Sequence, residues 1–514
     1  MNGAESLVRA LVKGGVDVCF TNPGTSEMHF VAALDRVPGM RSVLALFEGV
    51  ATGACDGFYR IAGRSASTLL HLGPGLANGI ANLHNAKKAH SGVVNIVGEH
   101  AIPHIALDAP LTSDIEGIAR PVSHWVHTSL GAEQVGADGA RAVAAAMTPP
   151  GQVATLILPG DTAWNEGGAV AEPVAPPSRP AVPDAAVDAA ARALGGPDSL
   201  MLLGSDALGE DCLLLAGRIA AATGCGLLTE WSNARLDRGA GRVAVNRIPY
   251  PVEQALELLA PYRRIVLVGA RPPVAFFGYP DKPGVLTAEG TRFVELADAG
   301  ADIAGALDAL ANAAGAGKVA PVGIAEARRP DIPDGPATPE TIASVLGALI
   351  PEGAIIIDES ITTGRRFFGE TAGAPPHVWL NNRGGSIGYG LPAAIGAAMA
   401  APESKVIALE GDGSAMYTVQ SLWTMAREQL DVTVLVFANR SYRILHGELS
   451  GVGVENPGPR AINMLTLNRP ELDWVAMARG MGVEACRVSE APDLAQALEA
   501  GLACEGPYLI EIML

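Results

Sequence analysis

No stretch of 18 apolar residues occurs in this chain. A helix crossing a bilayer needs about 20, so no membrane span is expected. The opening MNGAESLVRALVKGG is not a secretory leader: Glu5 comes early, and the segment reads as a capped amphipathic helix running from Asn2 to a stop at Gly14. Cytoplasmic residence is the default expectation. Cysteine is sparse and scattered. Cys19, Cys55, Cys212, Cys225, Cys486 and Cys504 form no CxxC pair, which excludes a zinc finger or a disulfide framework and leaves buried thiols. Positive charge is short. Lys and Arg number 36 against 54 Asp and Glu, for a net charge of -18, so nucleic acid is not expected as a partner. A small anionic substrate stays open, because local charges set a site. Cofactor phosphates would then need Mg²⁺ or backbone N–H groups. Aromatic residues are few at 5%, while apolar residues reach 49% and glycines number 61. That composition suits globular α/β layers with close helix–sheet contacts.

A chain of 514 residues exceeds one hydrophobic core. Two proline-rich stretches divide it. Ala171 to Pro183, AEPVAPPSRPAVP, carries five prolines and cannot hold a helix or a central strand. A second runs from Gly315 to about Pro339. The expected domains are 1–170, 184–314 and 338–514. In each, short apolar runs alternate with helical stretches: VDVCF, SVLALF, STLLHL and VVNIVG; then SLMLLG, GLLTEW and RIVLVGA; then AIIIDES, KVIALEGDG, VTVLVFANR and YLIEIML. Buried strands alternating with helices predict three successive doubly wound parallel-sheet domains of the α/β class. Such sheets bind ligands at the C-terminal ends of their strands.

The strongest local signal is VIALEGDGSAMYTVQSLWTMAREQLDVTVLVFANRSY. Val406 to Glu410 reads as a strand and Gly411-Asp412-Gly413 as a tight turn. A helix follows with apolar spacing at Met416, Val419, Leu422, Trp423 and Ala426. Val432 to Ala438 then returns as a strand ending at Asn439. Asp412 and Asn439 lie 27 positions apart, about one βαβ crossover, so both come to the same sheet edge. A carboxylate and an amide oxygen suit Mg²⁺. The N–H groups at Ser414 and Ala415 suit a diphosphate, and the glycines let the backbone approach. Without a ligand, the same run is an ordinary strand–helix turn.

Glu48, in LALFEGVATGACDGFYRIAG, follows an apolar strand and opens a helix. By itself it reads as an N-terminal acid that favours the helix dipole. The GDG run, its helix and Asn439 match the thiamine diphosphate motif. The first block agrees: NPG…E in TNPGTSEMHF, then EGVATGACDGFYR, HLGPG and NLHNAKKAHSGVVNIVG. The chain resembles the thiamine diphosphate-dependent enzymes of the benzoylformate decarboxylase and acetolactate synthase (large subunit) type, over nearly its whole length but weakly in the middle block.

The resemblance implies site residues. Glu48 would hydrogen-bond the aminopyrimidine N1′. Asp412, Asn439 and the main chain of Ser441 would bind Mg²⁺. Gly411, Gly413, Ser414, Ala415, Thr362 and Tyr442 would lie beside the diphosphate. In NNRGGSIGYGLPAAIG, Ile387 would wedge between the coenzyme rings and Gly385 would accept from N4′. The usual motif ends in two asparagines, and here the second is Arg440; that position is not a ligand. On the substrate side, His71 in HLGPG matches a proton-transferring histidine, or else caps a strand end. Thr25 stands where a substrate-binding serine is usual. The middle-domain histidine of the decarboxylase has no match in GARPPVAFFGYPD; His446 is a candidate substitute, or an ordinary solvated residue. No GxGxxG loop is evident, so FAD is not expected. The implied activity is decarboxylation or carboligation of a small 2-oxo acid or aldehyde through a C2 carbanion and enamine, in a homodimer or homotetramer with sites between subunits. A coenzyme-binding regulatory protein without turnover and an NAD-type dehydrogenase are the alternatives.

Overall fold

The computed structural model describes residues 1–514. Eighteen strands fall into three sheets. The first sheet contains β1 (Val18–Asn22), β2 (Arg41–Leu44), β3 (Ala66–Leu70), β4 (Val93–Glu99), β5 (Trp125–Thr128) and β6 (Val153–Pro159). Their order is β2-β1-β3-β4-β6-β5, with every pair parallel. The chain order reverses beside β1, so the tips of β1 and β3 open a crevice of the kind that takes ligands in such sheets. The N-terminal helix spans Gly3–Lys13, and Asn2 caps it by accepting from Glu5 N at 2.9 Å.

The middle block supplies β7 (Ser199–Leu203), β8 (Gly226–Thr229), β9 (Leu236–Arg238), β10 (Asn246–Arg247), β11 (Arg264–Val268) and β12 (Arg292–Ala297). Five of these form the parallel sheet β10-β8-β7-β11-β12. The third block holds β13 (Ile355–Glu359), β14 (His377–Asn381), β15 (Val406–Gly411), β16 (Val432–Ala438), β17 (Glu484–Val488) and β18 (Tyr508–Met513), in the order β17-β18-β16-β15-β13-β14. β9 leaves its own block and adds to this sheet beside β14, antiparallel, with Trp379 opposite Leu236. The third sheet is therefore parallel except at one edge, which the middle block covers. Covering an edge removes a row of unpaired backbone groups.

The strands are Val/Ile/Leu-rich because helices cover both faces; every residue of β3, β4, β6 and β16 is buried. One apolar core runs from Phe20, Val50, Ala54 and Phe58 of the first block into Leu391, Ala394, Ile395 and Ala408 of the third. The middle block has its own. The first and third blocks meet where helix Glu48–Ala62 crosses helix Gly390–Ala400. Small residues make that approach possible. A Cβ at Gly57 would stand 2.2 Å from Ala393 O, and one at Gly396 would stand 1.9 Å from Ala54 O. Beside the crossing, the buried Arg60 holds Asp56 through Nε (2.8 Å) and Nη2 (2.6 Å), and its Nη1 donates to Asn381 O at 2.7 Å and Tyr389 OH at 2.8 Å. All six cysteines are free thiols. No helix is long and apolar enough to cross a membrane.

Candidate active site

After β1 the chain turns through Asn22-Pro23-Gly24 into one 3₁₀ turn, Thr25–Glu27. Thr25 is exposed on that turn. Glu27 points inward, accepting from Gly24 N at 2.8 Å and lying 2.8 Å from His71 Nδ1. Burial raises the Glu27 pKa, and the facing His71 opposes that shift. Glu27 Oε1 has no partner. The packing leaves no spare room: a Cβ at Gly24 would meet the His71 ring at 2.2 Å, and one at Gly98 would meet Glu27 Oε1 at 1.7 Å.

His71 stands between β3 and helix Leu72–Ala89. Glu48 begins helix Glu48–Ala62, where an acid is favoured by the dipole, and is only 8% exposed. Its Oε2 accepts from Asn78 Nδ2 at 3.0 Å. A Cβ at Gly75 would lie 3.2 Å from Glu48 Oε1 and 3.3 Å from His71 Cβ, so glycine there keeps the acid and the imidazole adjacent. Glu48, His71 and Glu27 thus form one row.

At the tips of β13, β15 and β16 the second half assembles. β15 extends through Gly411, and Asp412 already begins a one-turn helix, Asp412–Ala415. The expected continuous helix is interrupted: a 3₁₀ turn, Met416–Thr418, precedes helix Ser421–Glu428. The cause is tertiary. Thr418 Oγ1 donates to Gly388 O at 3.2 Å, and Tyr417 packs where a side chain at 388 would be. Asp412 is 2% exposed; it accepts from Gly413 N at 2.8 Å and from Arg440 N at 2.6 Å. Burial pushes its pKa up to about 6. Asn439 Oδ1 accepts from Ser441 N at 2.9 Å. The two motif ends therefore meet, Asp412 bonding to the residue that follows Asn439. Arg440 turns its guanidinium away, to Glu471 at 3.2 Å and Leu514 O at 3.1 Å, which accounts for its tolerance at a position usually held by asparagine. Asp412, Arg440 and Glu471 line a cavity of about 240 Å³ with Trp474 and Arg487. The Tyr442 ring covers Gly413, where a Cβ would clash at 2.5 Å. Ser414 Oγ turns to Gly411 O at 3.0 Å.

The loop carrying Gly385 and Ile387 is held by a residue outside the expected set. Glu359, fully buried, accepts from the N–H groups of Gly388, Tyr389 and Gly390 at 3.1, 2.9 and 3.0 Å, and from Asn382 Nδ2 at 2.8 Å. Burial lifts its pKa to about 7. Gly385 adopts φ +79°, open to glycine without strain, and Phe276 of the middle block rests against it. Ile387 is half-buried and Thr362 sits past the tip of β13. His446 Nε2 lies 3.1 Å from Ser441 Oγ, tied to the second half rather than to the Glu48 row.

Of eight non-glycine residues with left-handed backbones, three stand near the candidate residues: Leu72 (φ +49°), Ile361 (φ +50°) and Arg440 (φ +55°). Each lies two residues beyond β3, β13 or β16, at the strand tips that carry the candidate residues. Such strain persists where surrounding structure over-determines it, and it clusters at functional sites. No hydrogen bond links Glu48 to Asp412 within one chain.

The candidate residues gather at the strand tips of two sheets, where α/β enzymes bind ligands, and comparison with known proteins identifies the class. The thiamine pyrophosphate enzyme N-terminal TPP-binding domain matches residues 1–118, and the C-terminal TPP-binding domain matches residues 365–512. The "Putative acetolactate synthase large subunit IlvX" of Mycobacterium tuberculosis is 51% identical over 515 residues, covering 100% of this chain and 99% of that protein. Benzoylformate decarboxylase of Pseudomonas aeruginosa is 30% identical over 533 residues, covering 98% and 97%. In fold, the thiamine diphosphate-dependent 4-hydroxybenzoylformate decarboxylase of Rhodococcus jostii RHA1 superposes with a TM-score of 0.86 at 24% identity, over 99% of this chain and 98% of that one. The chain belongs to the thiamine pyrophosphate-dependent enzymes of the acetolactate synthase and benzoylformate decarboxylase family.

The residues present fit the coenzyme and its metal. Asp412 is a buried carboxylate with no cationic side chain bonded to it. No cluster of three His, Cys, Asp or Glu side chains stands ready for a metal. A cation at Asp412 would therefore complete its shell with amide and main-chain oxygens, phosphates and water, as Mg²⁺ does.

Proposed function

We propose that this enzyme is a Mg²⁺-dependent decarboxylase or carboligase of a small 2-oxo acid. The observation that carries the reading is the group at the strand tips in which Glu48 and His71 flank Gly75 and Glu27 contacts His71 at 2.8 Å. Thiamine diphosphate, when bound, supplies a thiazolium ring that adds to a ketone and accepts the electron pair as CO₂ leaves. The protein's part is positioning and proton transfer. Glu48 would hold a proton at the pyrimidine N1′ of the coenzyme. Gly385 O would accept from the coenzyme's amino group, and Ile387 would support its rings. Asp412, Asn439 and Ser441 O would hold Mg²⁺, while Gly411, Gly413, Ser414, Ala415, Thr362 and Tyr442 would surround the diphosphate. Because Glu27 occupies Nδ1 of His71, Nε2 is left to give or take a proton at the substrate carbon. Thr25 offers its hydroxyl to the substrate carboxylate.

The reading includes a homodimer or homotetramer in which Glu48 of one chain meets Asp412 of another. It includes no FAD: Glu210 and Asp211 occupy the first turn of the middle-block helix Glu210–Thr223, where they oppose a phosphate. The test has two arms. CO₂ release across a panel of 2-oxo acids, with and without acceptor aldehydes, assigns the reaction. C2–H exchange of bound coenzyme, compared between wild type and Glu48→Gln, should fall by several orders of magnitude; equal rates would defeat the reading.

A further inference from the structure

We infer that Glu359 and Asn382 form a clamp that fixes the segment bearing Gly385 and Ile387 against the turn at Asp412, and that both are positioning residues for the coenzyme; the inference rests on the function proposed above. Glu359 ends β13 and Asn382 follows β14. They are 1% and 8% exposed. Glu359 Oε2 takes the N–H groups of Gly388, Tyr389 and Gly390, and its Oε1 takes Asn382 Nδ2 at 2.8 Å. Asn382 carries the grip to the other side of Ile387. Its Oδ1 accepts from Gly385 N at 2.9 Å, and its Nδ2 also donates to Ser386 O at 2.6 Å. The backbone is therefore held on both flanks of Ile387, and both holds lead back to one carboxylate.

The anchor of the clamp lies beside the metal-bearing strand. β13 pairs with β15 so that Glu359 is opposite Glu410, two residues before Asp412, and Ser414 Oγ lies 3.4 Å from Glu359 O. Glu359, Asn382, the run 385–390 and the turn at Asp412 all belong to the third block of one chain. The clamp consequently acts within a single diphosphate half, whichever chain supplies Glu48. The local sequence does not fix this loop by itself. Gly385 and Gly388 adopt φ +79° and +87°, a region that glycine enters and leaves freely. Tyr389, at the N-cap of helix Gly390–Ala400, makes no side-chain capping bond. An acid on a neighbouring strand takes over the capping, at a helix end where negative charge is favoured. The orientation of Asn382 is fixed as well, because Gly385 N needs its oxygen and Ser386 O its nitrogen. Glutamine at 359 would therefore keep an acceptor for the three N–H groups only by turning its own NH₂ toward Asn382 Nδ2, donor against donor.

What the clamp supplies is precision at Gly385 O and Ile387. Misplacement of about 1 Å at a reacting centre costs on the order of 10²-fold in rate. The test uses the full-length protein with Mg²⁺, comparing wild type with Glu359→Gln, Glu359→Ala and Asn382→Ala. The readouts are the C2–H exchange rate at saturating thiamine diphosphate, the Kd of inorganic diphosphate, and the melting temperature without coenzyme. Inorganic diphosphate reports on the Asp412 turn alone, because it has no rings for the clamped loop to meet. We expect exchange at saturation to fall about tenfold or more in both alanine variants and by less in Glu359→Gln, with the Kd of inorganic diphosphate unchanged. Glu359→Gln, close to glutamate in shape, decides the matter if an alanine variant does not fold. Wild-type exchange at saturation, whatever the melting temperature does, would make the pair a support of the fold only and overturn the inference. Exchange that falls in step with a weakened diphosphate Kd would overturn it too, since the damage would then lie in the metal turn. Glu48→Gln, run in parallel, separates the two levels: if it also leaves exchange unchanged, the proposed function falls and takes this inference with it, whereas a loss in Glu48→Gln alone sinks only the clamp.

Discussion

Gly57→Ala sets two physical effects against each other, and the structure decides between them. Gly57 is inside helix Glu48–Ala62. Helix propensity alone predicts that alanine there stabilises by about 1 kcal/mol. The new Cβ, however, would stand 2.2 Å from Ala393 O and 2.6 Å from Ala393 Cα. Both are backbone atoms, so no rotamer change relieves the clash, and the two helices must part by about 1 Å. A gap of that size forfeits a quarter to a half of each dispersion contact it opens. The opening also spreads to Gly53 against Pro392 and Gly396 against Ala54. Overpacking of this kind costs about 1–3 kcal/mol or more; with two backbone atoms overlapped, the upper end applies. The expected net loss is about 2 kcal/mol, or roughly 4–8 °C for domains of this size. Gly447→Ala is the matched control. Gly447 is inside helix Arg443–Gly451, and a Cβ there meets nothing within 4 Å, so propensity acts alone and the change should stabilise by up to about 1 kcal/mol. Calorimetry of both variants without coenzyme measures the difference, using midpoints because a chain of several domains need not melt in one step. Gly57→Ala melting at or above wild type would refute the packing account of how the first and third domains meet.

Glu27→Gln should lower kcat/KM by roughly 10–100-fold and leave the coenzyme Kd unchanged, because Glu27 bonds His71 and not the metal half; isothermal titration alongside kinetics would show otherwise if the Kd moved with the rate. Asp412→Asn should abolish Mg²⁺-dependent retention of coenzyme on gel filtration while leaving the melting temperature without coenzyme within a few degrees. Retention equal to wild type would place the metal elsewhere. His377 is buried at the start of β14, with Nδ1 2.7 Å from Pro375 O and Nε2 unpartnered. Burial, aided by Arg238 and Arg242, lowers its pKa to about 3. Its native form stays neutral while the unfolded form takes a proton below about pH 6.5, so stability falls as pH falls from there toward 3. Between about pH 7.5 and 5 the loss from this residue is about 2 kcal/mol. His377→Asn, which cannot titrate, should reduce the wild-type acid sensitivity by about that amount in denaturant titrations at the two pH values; equal sensitivity would contradict the assignment.

The elements legible in the sequence are those whose cause is local. β16 occupies Val432–Ala438, as its apolar run, broken only by Thr433, requires, and the Asn2 cap and the Gly14 stop bound the first helix. Asp412 and Asn439 could be brought to one sheet edge because a crossover has a characteristic length. β9 was not legible: Leu-Asp-Arg has no period, and only the exposed edge of β14 makes it a strand. The interruption after Ala415 was hidden as well, since the apolar spacing from Met416 to Ala426 is helical and the break comes from the loop at Gly388. Glu27, Glu359, Asn82 and Asn85 are buried polar residues whose partners lie far away in sequence, Asn85 and Ser386 being separated by 301 positions. Composition marks such residues as surface; only their partners show otherwise.

This division explains where the precision of the site resides. The groups proposed to touch coenzyme lie on strand tips and on loops with strained or glycine backbones, which local forces hold poorly. Their coordinates are set from behind by buried acids and amides: Glu27 under His71, Glu359 under the run 388–390, and Asn82 between Gly49 and Gly388. An unpartnered buried polar group costs about 1–3 kcal/mol, a sizeable share of the 5–15 kcal/mol that separates folded from unfolded chains. Removing one of these supports therefore leaves enough stability to fold while releasing a loop that must be placed within about 0.5 Å. The supports should accordingly form a class of positions where activity falls well before the melting temperature does. The Gly57–Ala393 crossing should behave in the opposite way, because its contacts are apolar and backbone-to-backbone and its loss reaches the core first.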